Sequence, residues 1–199
     1  MASIRTSQWR LDDVIIASRG SKVATLKDGE NGNCVYTPTS YLRVPFEPGT
    51  FDRDPTASRL NLELECDSAI QEEFDAFDNW MIDYLSEHSE TLLKRKVSPD
   101  QVVLGYCSCI KPAPLGNNFN PTLKTKVDQA GVIALRCWST NGDAAIIPDQ
   151  WRWLRVKPRM HFSHLWIMGA QFGVVLKVTD AELTGEGVEE HVIVTNPFK

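Results

Sequence analysis

Hydrophobic and polar residues alternate most regularly between Ser58 and Cys66. In this stretch Leu60, Leu62 and Leu64 occupy every second position, and polar or charged residues separate them. A two-residue period is typical of a strand that buries one side and exposes the other. Shorter strand-like runs, ended by Gly, Pro or Asn turn residues, are predicted at 13–18, 22–27, 33–36 and 41–46.

One segment has a helical period instead, and its residues 68–71 (Ser-Ala-Ile-Gln) are typical of a capping box at a helix N-terminus. Its hydrophobic residues recur at spacings of three or four, as expected of a helix packed on a core: Ile70, Phe74, Phe77, Met81 and Tyr84. A second, shorter helix is predicted after Ser98, with Pro99 in its first turn. A strand over 106–111 follows it.

The second half of the chain predicts two hairpins. In the first, residues 121–127 pair with 131–138 across a three-residue loop that ends before Gly131. This register places Leu123 opposite Leu135 and keeps every lysine out of the core. It also brings four side chains together on the other face: Lys124, Lys126, Arg136 and Trp138.

The second hairpin joins 162–168 to 171–178 through Gly169-Ala170, a pair suited to a type II′ turn. Its register points five residues inward: Leu165, Ile167, Phe172, Val174 and Leu176. It points five others outward, with the Trp166 indole lying over Gly173: Phe162, His164, Trp166, Gly173 and Lys177. Many short strands with one prominent helix predict a single, mainly β (α+β) domain over 1–199, most economically a small antiparallel barrel.

Charge is divided unevenly within the 199 residues, whose formal net charge is -5. Ten acids and no Lys or Arg lie between Leu60 and Leu93, whereas nine bases and three acids lie between Lys111 and Lys177. A molecule with one acidic and one basic face can bind a polyanion despite a negative total charge. The partner face is therefore expected in the second half.

The segment from Trp151 to Arg159 has the composition of a nucleic-acid contact. It interleaves two tryptophans with four cations and contains no acid. Aromatic rings stack on unpaired bases, and cations neutralise phosphates. A tryptophan-anchored turn with solvated cations would have the same composition.

Motifs for other chemistries are weak. Cys107-x-Cys109 is too closely spaced for a structural zinc site, and His161 and His164 are expected to point to opposite faces of a strand. Acidic pairs at 12–13 and 52–54 are explained as turn residues, and no phosphate-binding, dinucleotide-binding or nucleophile motif occurs. We therefore predict no enzyme activity, no metal and no cofactor.

Cysteine content and hydropathy indicate the compartment in which the protein works. Its five cysteines are odd in number and scattered, which favours a reducing, intracellular compartment over a disulfide scaffold. No apolar run approaches a membrane span, and the N-terminus has no apolar region typical of a secretory signal.

Four stretches in order, over about three quarters of the chain, resemble a known family. They are residues 36–46 (Tyr-Thr-Pro-Thr-Ser-Tyr-Leu-Arg-Val-Pro-Phe), the strand and helix ending in Leu-Leu-Lys-Arg-Lys96, residues 119–126 (Phe-Asn-Pro-Thr-Leu-Lys-Thr-Lys) and residues 165–177 (Leu-Trp-Ile-Met-Gly-Ala-Gln-Phe-Gly-Val-Val-Leu-Lys). The chain thus resembles the OB-fold single-stranded-DNA-binding proteins of large DNA viruses and their algal and protist relatives. The resemblance implies an OB-like barrel with insertions, sequence-tolerant strand binding in replication, recombination or repair, and phosphate contacts from Lys124 and Lys126. Some such proteins end in an acidic tail, whereas residues 189–199 read as a strand and a short stub.

Two functions are consistent with these patterns. The first is a binding module that grips single-stranded DNA, with RNA also compatible; the oligomeric state is open and includes a homo-oligomer. Its predicted contacts are Lys124, Lys126, Arg136, Trp138, Arg152, Trp153, Arg155, Lys157, Trp166 and Lys177. The alternative is a virion or assembly protein, a β-sandwich whose acidic and basic faces meet in neighbouring subunits.

Overall fold

The computed structural model describes residues 3–12, 14–17, 22–30, 32–50, 54, 57–114 and 119–184. These ranges contain the helices α1 (Ser68–Glu87), α2 (Ser89–Leu93) and α3 (Pro99–Gly105). Their strands are β1 (Trp9–Leu11), β2 (Ile15–Ile16), β3 (Lys22–Asp28), β4 (Val35–Tyr36), β5 (Leu42–Arg43), β6 (Arg59–Glu65), β7 (Tyr106–Cys107), β8 (Ile110–Lys111), β9 (Thr122–Asp128), β10 (Arg136–Trp138), β11 (Ala144–Ala145), β12 (Arg155–Met168) and β13 (Gln171–Thr184). None of the helices in these ranges has both the length and the apolar character to cross a membrane. The strand and stub predicted for 189–199 lie outside the described residues.

The long hairpin of β12 and β13 is the centre of one branched sheet. Its main path runs β1-β3-β12-β13-β10-β11, and β9 joins β13 to β6 and β8 on a side branch. The mainly β class with few helices is therefore confirmed. Within the described ranges the pairings do not form a closed ring, so closure of the predicted OB-like barrel is not confirmed.

The core lies between α1 and one face of this sheet. Phe162 on β12 is fully buried; its ring centroid lies 5.9 Å from that of Phe74 and 4.6 Å from that of Phe77, both on α1. Trp9 on β1 packs edge-on against Phe162 at 4.9 Å. The predicted aromatic stripe of α1 is thus in the core, although Tyr84 is half-buried and Leu85 takes the last buried position.

The two helix starts differ in how well the sequence predicted them. At α1, the cap is Asp67 and not Ser68, because the Asp67 carboxylate accepts a 2.9 Å hydrogen bond from the Ile70 backbone N–H. At α3, Ser98 and Gln101 form the reciprocal capping box with Pro in the first turn. That short helix is confirmed.

The first predicted hairpin is wrong. Strand β9 pairs antiparallel with β6, which places Leu123 opposite Leu64 instead of Leu135. Strand β10 instead runs parallel to β13, with Arg136 opposite Asp180. The alternation of polar and apolar residues predicts which side of β9 is buried. It does not predict the partner strand, because the leucine-rich side of β6 matches the buried side of β9 as well as residues 131–138 would.

The second predicted hairpin is confirmed. Trp166 lies opposite Gly173, and a Cβ added to Gly173 would come within 3.0 Å of the Trp166 ring. Gly169 has φ +63° while Ala170 does not have a positive φ, as a type II′ turn requires. All five residues predicted to point inward are buried.

A register shift between Phe162 and His164 changes the faces beyond it. Because Ser163 is the extra residue of this bulge, Phe162 points into the core and not outward as predicted. His161 pairs with Lys177 and His164 with Val175. The two histidines therefore share a face, and the prediction that they point to opposite faces is wrong.

Candidate nucleic-acid interface

The side of the sheet turned away from α1, here called the outer face, gathers side chains from distant parts of the chain. Directly paired residues share a face, and Lys177 pairs with both His161 and Lys126. Extending this register along the strands gives the charged and aromatic residues of the outer face: Arg10, Lys27, Arg43, Arg59, Glu63, Glu65, Lys111, Lys124, Lys126, Asp128, Arg136, Trp138, Arg155, Lys157, Arg159, His161, His164, Trp166, Lys177, Asp180 and Glu182.

The acids of the outer face are engaged by neighbouring groups. Asp128 bonds Lys177 at 2.9 Å, Asp180 bonds Arg136 at 2.7 Å, and the carboxylate of Glu65 bonds Arg43 at 2.7 Å. Lys111 similarly pairs with Glu63, and Glu182 accepts a hydrogen bond from the Tyr41 hydroxyl. Positive charge is therefore in surplus on this face.

Five of the predicted cations have no ion pair within the described ranges: Lys124, Lys126, Arg152, Arg155 and Lys157. Lys124, Arg152 and Arg155 are exposed, and Lys126 and Lys157 are half-buried. Burial and the nearby Arg59 lower the pKa of Lys126. Cations without an acidic partner are free to exchange their counterions for phosphates.

Arg136 and Lys177 lie on the same face but are already engaged. Lys177 is only 8% exposed and is held by Asp128. Arg136 bonds Asp180, and its guanidinium lies 5.8 Å from the Trp138 ring centroid. These two cations contribute charge to the outer face but are not free to rearrange around a strand.

Trp138 does not offer a stacking surface. It is 1% exposed, and its Nε1 donates a 3.0 Å hydrogen bond to Asp180 Oδ1. The sequence predicted that the Trp138 ring is displayed beside Lys124 on a hairpin of residues 121–127 and 131–138. Because that hairpin does not form, the prediction is wrong. Because its ring is covered and its donor is satisfied, Trp138 stabilises the junction of β10 and β13.

Trp153 is the exposed indole of the tryptophan-rich segment, 49% accessible, whereas Trp151 is buried. The guanidinium carbons of Arg43 and Arg152 lie 4.9 and 4.8 Å from the Trp153 ring centroid. Contact with Arg43 places the indole beside the outer face, next to the first residue of β12.

The backbone of Trp153 has φ +74°, which is unfavourable for a bulky L residue. The turn holds this conformation through its neighbours. The Glu47 carboxylate accepts hydrogen bonds from the backbone N–H groups of Trp151 and Arg152, both 2.9 Å long, and Trp153 N–H donates to Val44 O at 2.7 Å. Backbone strain held in this way is common where a side chain must be displayed.

Trp166 lies toward the other end of β12 and borders a cavity of about 260 Å³, here called the fork cavity. Lys124, Lys126 and Asn61 line the same cavity. The predicted meeting of the β9 lysines with an indole therefore occurs, although with Trp166 and not with Trp138.

The two histidines of the outer face lie among cations. Burial lowers the pKa of His161, and Lys177, Arg159 and Lys27 lower it further. Burial, Lys177 and Arg59 do the same for His164. Within the described residues, His161 Nε2 is buried without a hydrogen-bond partner.

The cysteines and histidines do not converge on a metal-like cluster in the described part of the chain. All five cysteines are free, and only Cys107 is not buried. Burial raises the pKa of the Cys137 thiol to about 12.

Sequence reasoning did not include Arg43, Arg59 and the histidines in the site. Arg59 and Asn61 occupy the polar side of the alternating strand at 58–66. The sequence therefore predicted that this side faces away from the core, but not which strand pairs with this one. Arg43 occurs in the run 41–46, and only the pairing of Arg43 with Arg155 places it on the outer face.

No protein-family model matches the chain, and no curated protein matches it. Among solved structures, it is similar to a C-terminal truncation of the single-stranded DNA-binding protein from bacteriophage Enc34, with a TM-score of 0.41 and 7% identity over 92% of this chain and 95% of that one. It is also similar to the Enc34 protein in complex with single-stranded DNA, with a TM-score of 0.44 and 9% identity over 92% of this chain and 96% of that one.

Proposed function

We propose that this protein binds single-stranded DNA through the outer face with little sequence preference. The observation that carries the proposal is the convergence of unpaired cations from β9, β12 and the turn before β12 on one side of the sheet. The exposed indole of Trp153 lies near one end and the half-buried indole of Trp166 near the other. The two indoles are separated by the length of β12 from Arg155 to Trp166, about 35 Å at the usual rise per strand residue.

Charge and aromatic surface together favour a single strand over a duplex. Phosphates alone would be attracted by the five free cations in either case. The ring of Trp153 can stack only on a base that is unpaired, since the faces of paired bases are covered by their neighbours. The ligand class is consistent with a role in protecting exposed strands during replication, recombination or repair.

Titration with oligo-dT at two salt concentrations, following tryptophan emission and anisotropy of a labelled oligonucleotide, tests this proposal. We expect quenched emission and an affinity that falls steeply with salt. The paired change Lys124→Gln with Lys126→Gln should weaken binding at low salt by about tenfold, the loss of roughly two phosphate contacts.

A matched control removes the same charge elsewhere. Arg95 and Lys96 are exposed and follow α2, away from the outer face, so Arg95→Gln with Lys96→Gln should leave affinity within about twofold. Equal losses in both pairs would contradict a localised interface, and no binding at low salt would favour the assembly-protein alternative. An oligo-U arm of the same titration compares RNA with DNA.

A further inference from the structure

The fork cavity exists because the sheet divides. Strand β13 pairs with β9 at Lys177 and Lys126, but four residues earlier its partner is β7, at Gly173 and Cys107. Residues 174–176 of β13 lie between these two ladders. Strand β9 meanwhile turns toward β8, which opens the space of about 260 Å³.

The walls of this space combine a flat aromatic with cations. Trp166 is fixed before any ligand arrives, because its ring covers Gly173 on the neighbouring strand. Val175 lines the cavity beside it, and Lys124 and Lys126 lie on the β9 side. The one carboxylate in the lining, Glu63, is bonded by Lys111 and Thr122. An apolar, aromatic surface next to two ammonium groups suits a ligand that has a flat ring and an adjoining negative charge.

Asn61 adds a directed hydrogen-bond donor. Lys126 Nζ donates to Asn61 Oδ1, because an ammonium only donates, and this contact fixes the amide with its NH₂ group on the other side. The Asn61 NH₂ group lines the cavity with no partner among the described residues. It can donate to a ring carbonyl, which thymine, cytosine and guanine have and adenine lacks.

Cavity size restricts the occupant. Pockets for drug-sized ligands usually span about 300–1,000 Å³, and the fork cavity is slightly smaller. It therefore suits one base, with its sugar toward the rim.

We propose that the fork cavity is a base-binding pocket, in which one base of the bound strand stacks on Trp166 while Lys124 and Lys126 hold the neighbouring phosphates. Asn61 donates to a ring carbonyl of that base, which favours thymine, cytosine or guanine over adenine at this one position. This inference rests on the proposed function and adds to it a single position with base preference.

An abasic scan tests the pocket. The shortest oligo-dT that retains full affinity is used, since it leaves the strand no room to shift its register, and each nucleotide in turn is replaced by an abasic one. We expect one position toward each end of the strand to cost about tenfold in affinity, one for the stack on Trp153 and one for the stack on Trp166. Adenine should cost several-fold only at the position that occupies the fork cavity.

Two variants localise the effect. Val175→Phe fills the cavity and should remove the penalty at the adenine-sensitive position while keeping the one at the other end. Val103→Phe makes the same change at an exposed position of α3, outside the cavity and the outer face, and should leave the scan unchanged. Far-UV circular dichroism and the unfolding midpoint of each variant verify the fold. A scan with no adenine-sensitive position despite tight oligo-dT binding, or an adenine-sensitive penalty that survives Val175→Phe in the folded protein, would overturn the pocket and leave strand binding intact. Absence of oligo-dT binding would overturn both.

Discussion

Lys177 on β13 and Asp128 at the end of β9 form a buried ion pair, with 2.9 Å between Nζ and Oδ2. Arg59 on β6 bonds the other oxygen of the same carboxylate. Asp128 thus connects three strands of the outer face. This carboxylate positions part of the charge of the proposed interface, because it fixes Lys177 and Arg59 near Lys126.

Asp128→Asn should destabilise the fold by about 3 kcal/mol, because Lys177 is left buried without a counter-charge. The midpoint of urea unfolding measures this effect. Asp83→Asn, a change of the same kind at an exposed position of α1, should shift the midpoint little. Equal shifts would show that the Asp128 network is not a major source of stability.

The same network predicts how stability depends on acid. Burial alone would raise the pKa of Asp128, but the hydrogen bonds from Arg59 and Lys177 outweigh it and hold the pKa below its usual range. Because the folded pKa is the lower one, this stabilisation is present above the unfolded pKa of about 4 and is lost as the pH falls through the folded value. Wild-type unfolding free energy should therefore decline below about pH 4 more steeply than that of Asp128→Asn.

The histidines predict a coupling between protons and binding. Their folded pKa values lie below the usual value of about 6.5, so the free protein should lose stability as the pH falls below that value. Phosphates on the outer face favour the protonated form and should oppose the loss.

Melting temperatures between pH 7 and pH 5, with and without oligo-dT, measure this coupling. Stabilisation by oligo-dT should increase toward pH 5 in the wild type and stay nearly constant in His161→Gln with His164→Gln. A parallel increase in both proteins would show that other groups take up the protons.

Tryptophan substitutions should separate binding from folding. Trp153→Ala removes an exposed ring and should weaken oligo-dT binding by about tenfold with an unchanged unfolding midpoint. Trp138→Ala empties a buried site and should cost about 3–5 kcal/mol of stability. Fluorescence titration and urea unfolding of both variants provide the comparison, and unaltered affinity in Trp153→Ala would exclude its ring as a stacking surface.

Local patterns predicted those parts of the fold that depend on neighbours in sequence. The stripe of α1, the short helix that begins at Pro99 and the contact of Trp166 with Gly173 all follow from spacing within one helix or one tight hairpin. The buried leucines of β6 follow from alternation in the same way.

Features that depend on remote partners were not predictable. Burial of one side of β9 is consistent with several partner strands. The sequence of β9 alone therefore does not determine that it pairs with β6 and not with residues 131–138. The bulge at Ser163 inverted the expected face of Phe162, and no local residue signals it. The site prediction consequently included Trp138 and omitted Arg43.

The salt dependence of oligo-dT affinity tests the central claim most directly. The five predicted contact cations that lack an ion pair in the described ranges should give a slope of log affinity against log salt of about -3.5, at roughly -0.7 per phosphate. Replacing Arg155 and Lys157 by Gln should bring the slope to about -2.1, while the Arg95 and Lys96 control should keep it unchanged. A slope near zero, or the same slope in all three proteins, would contradict strand binding by this face.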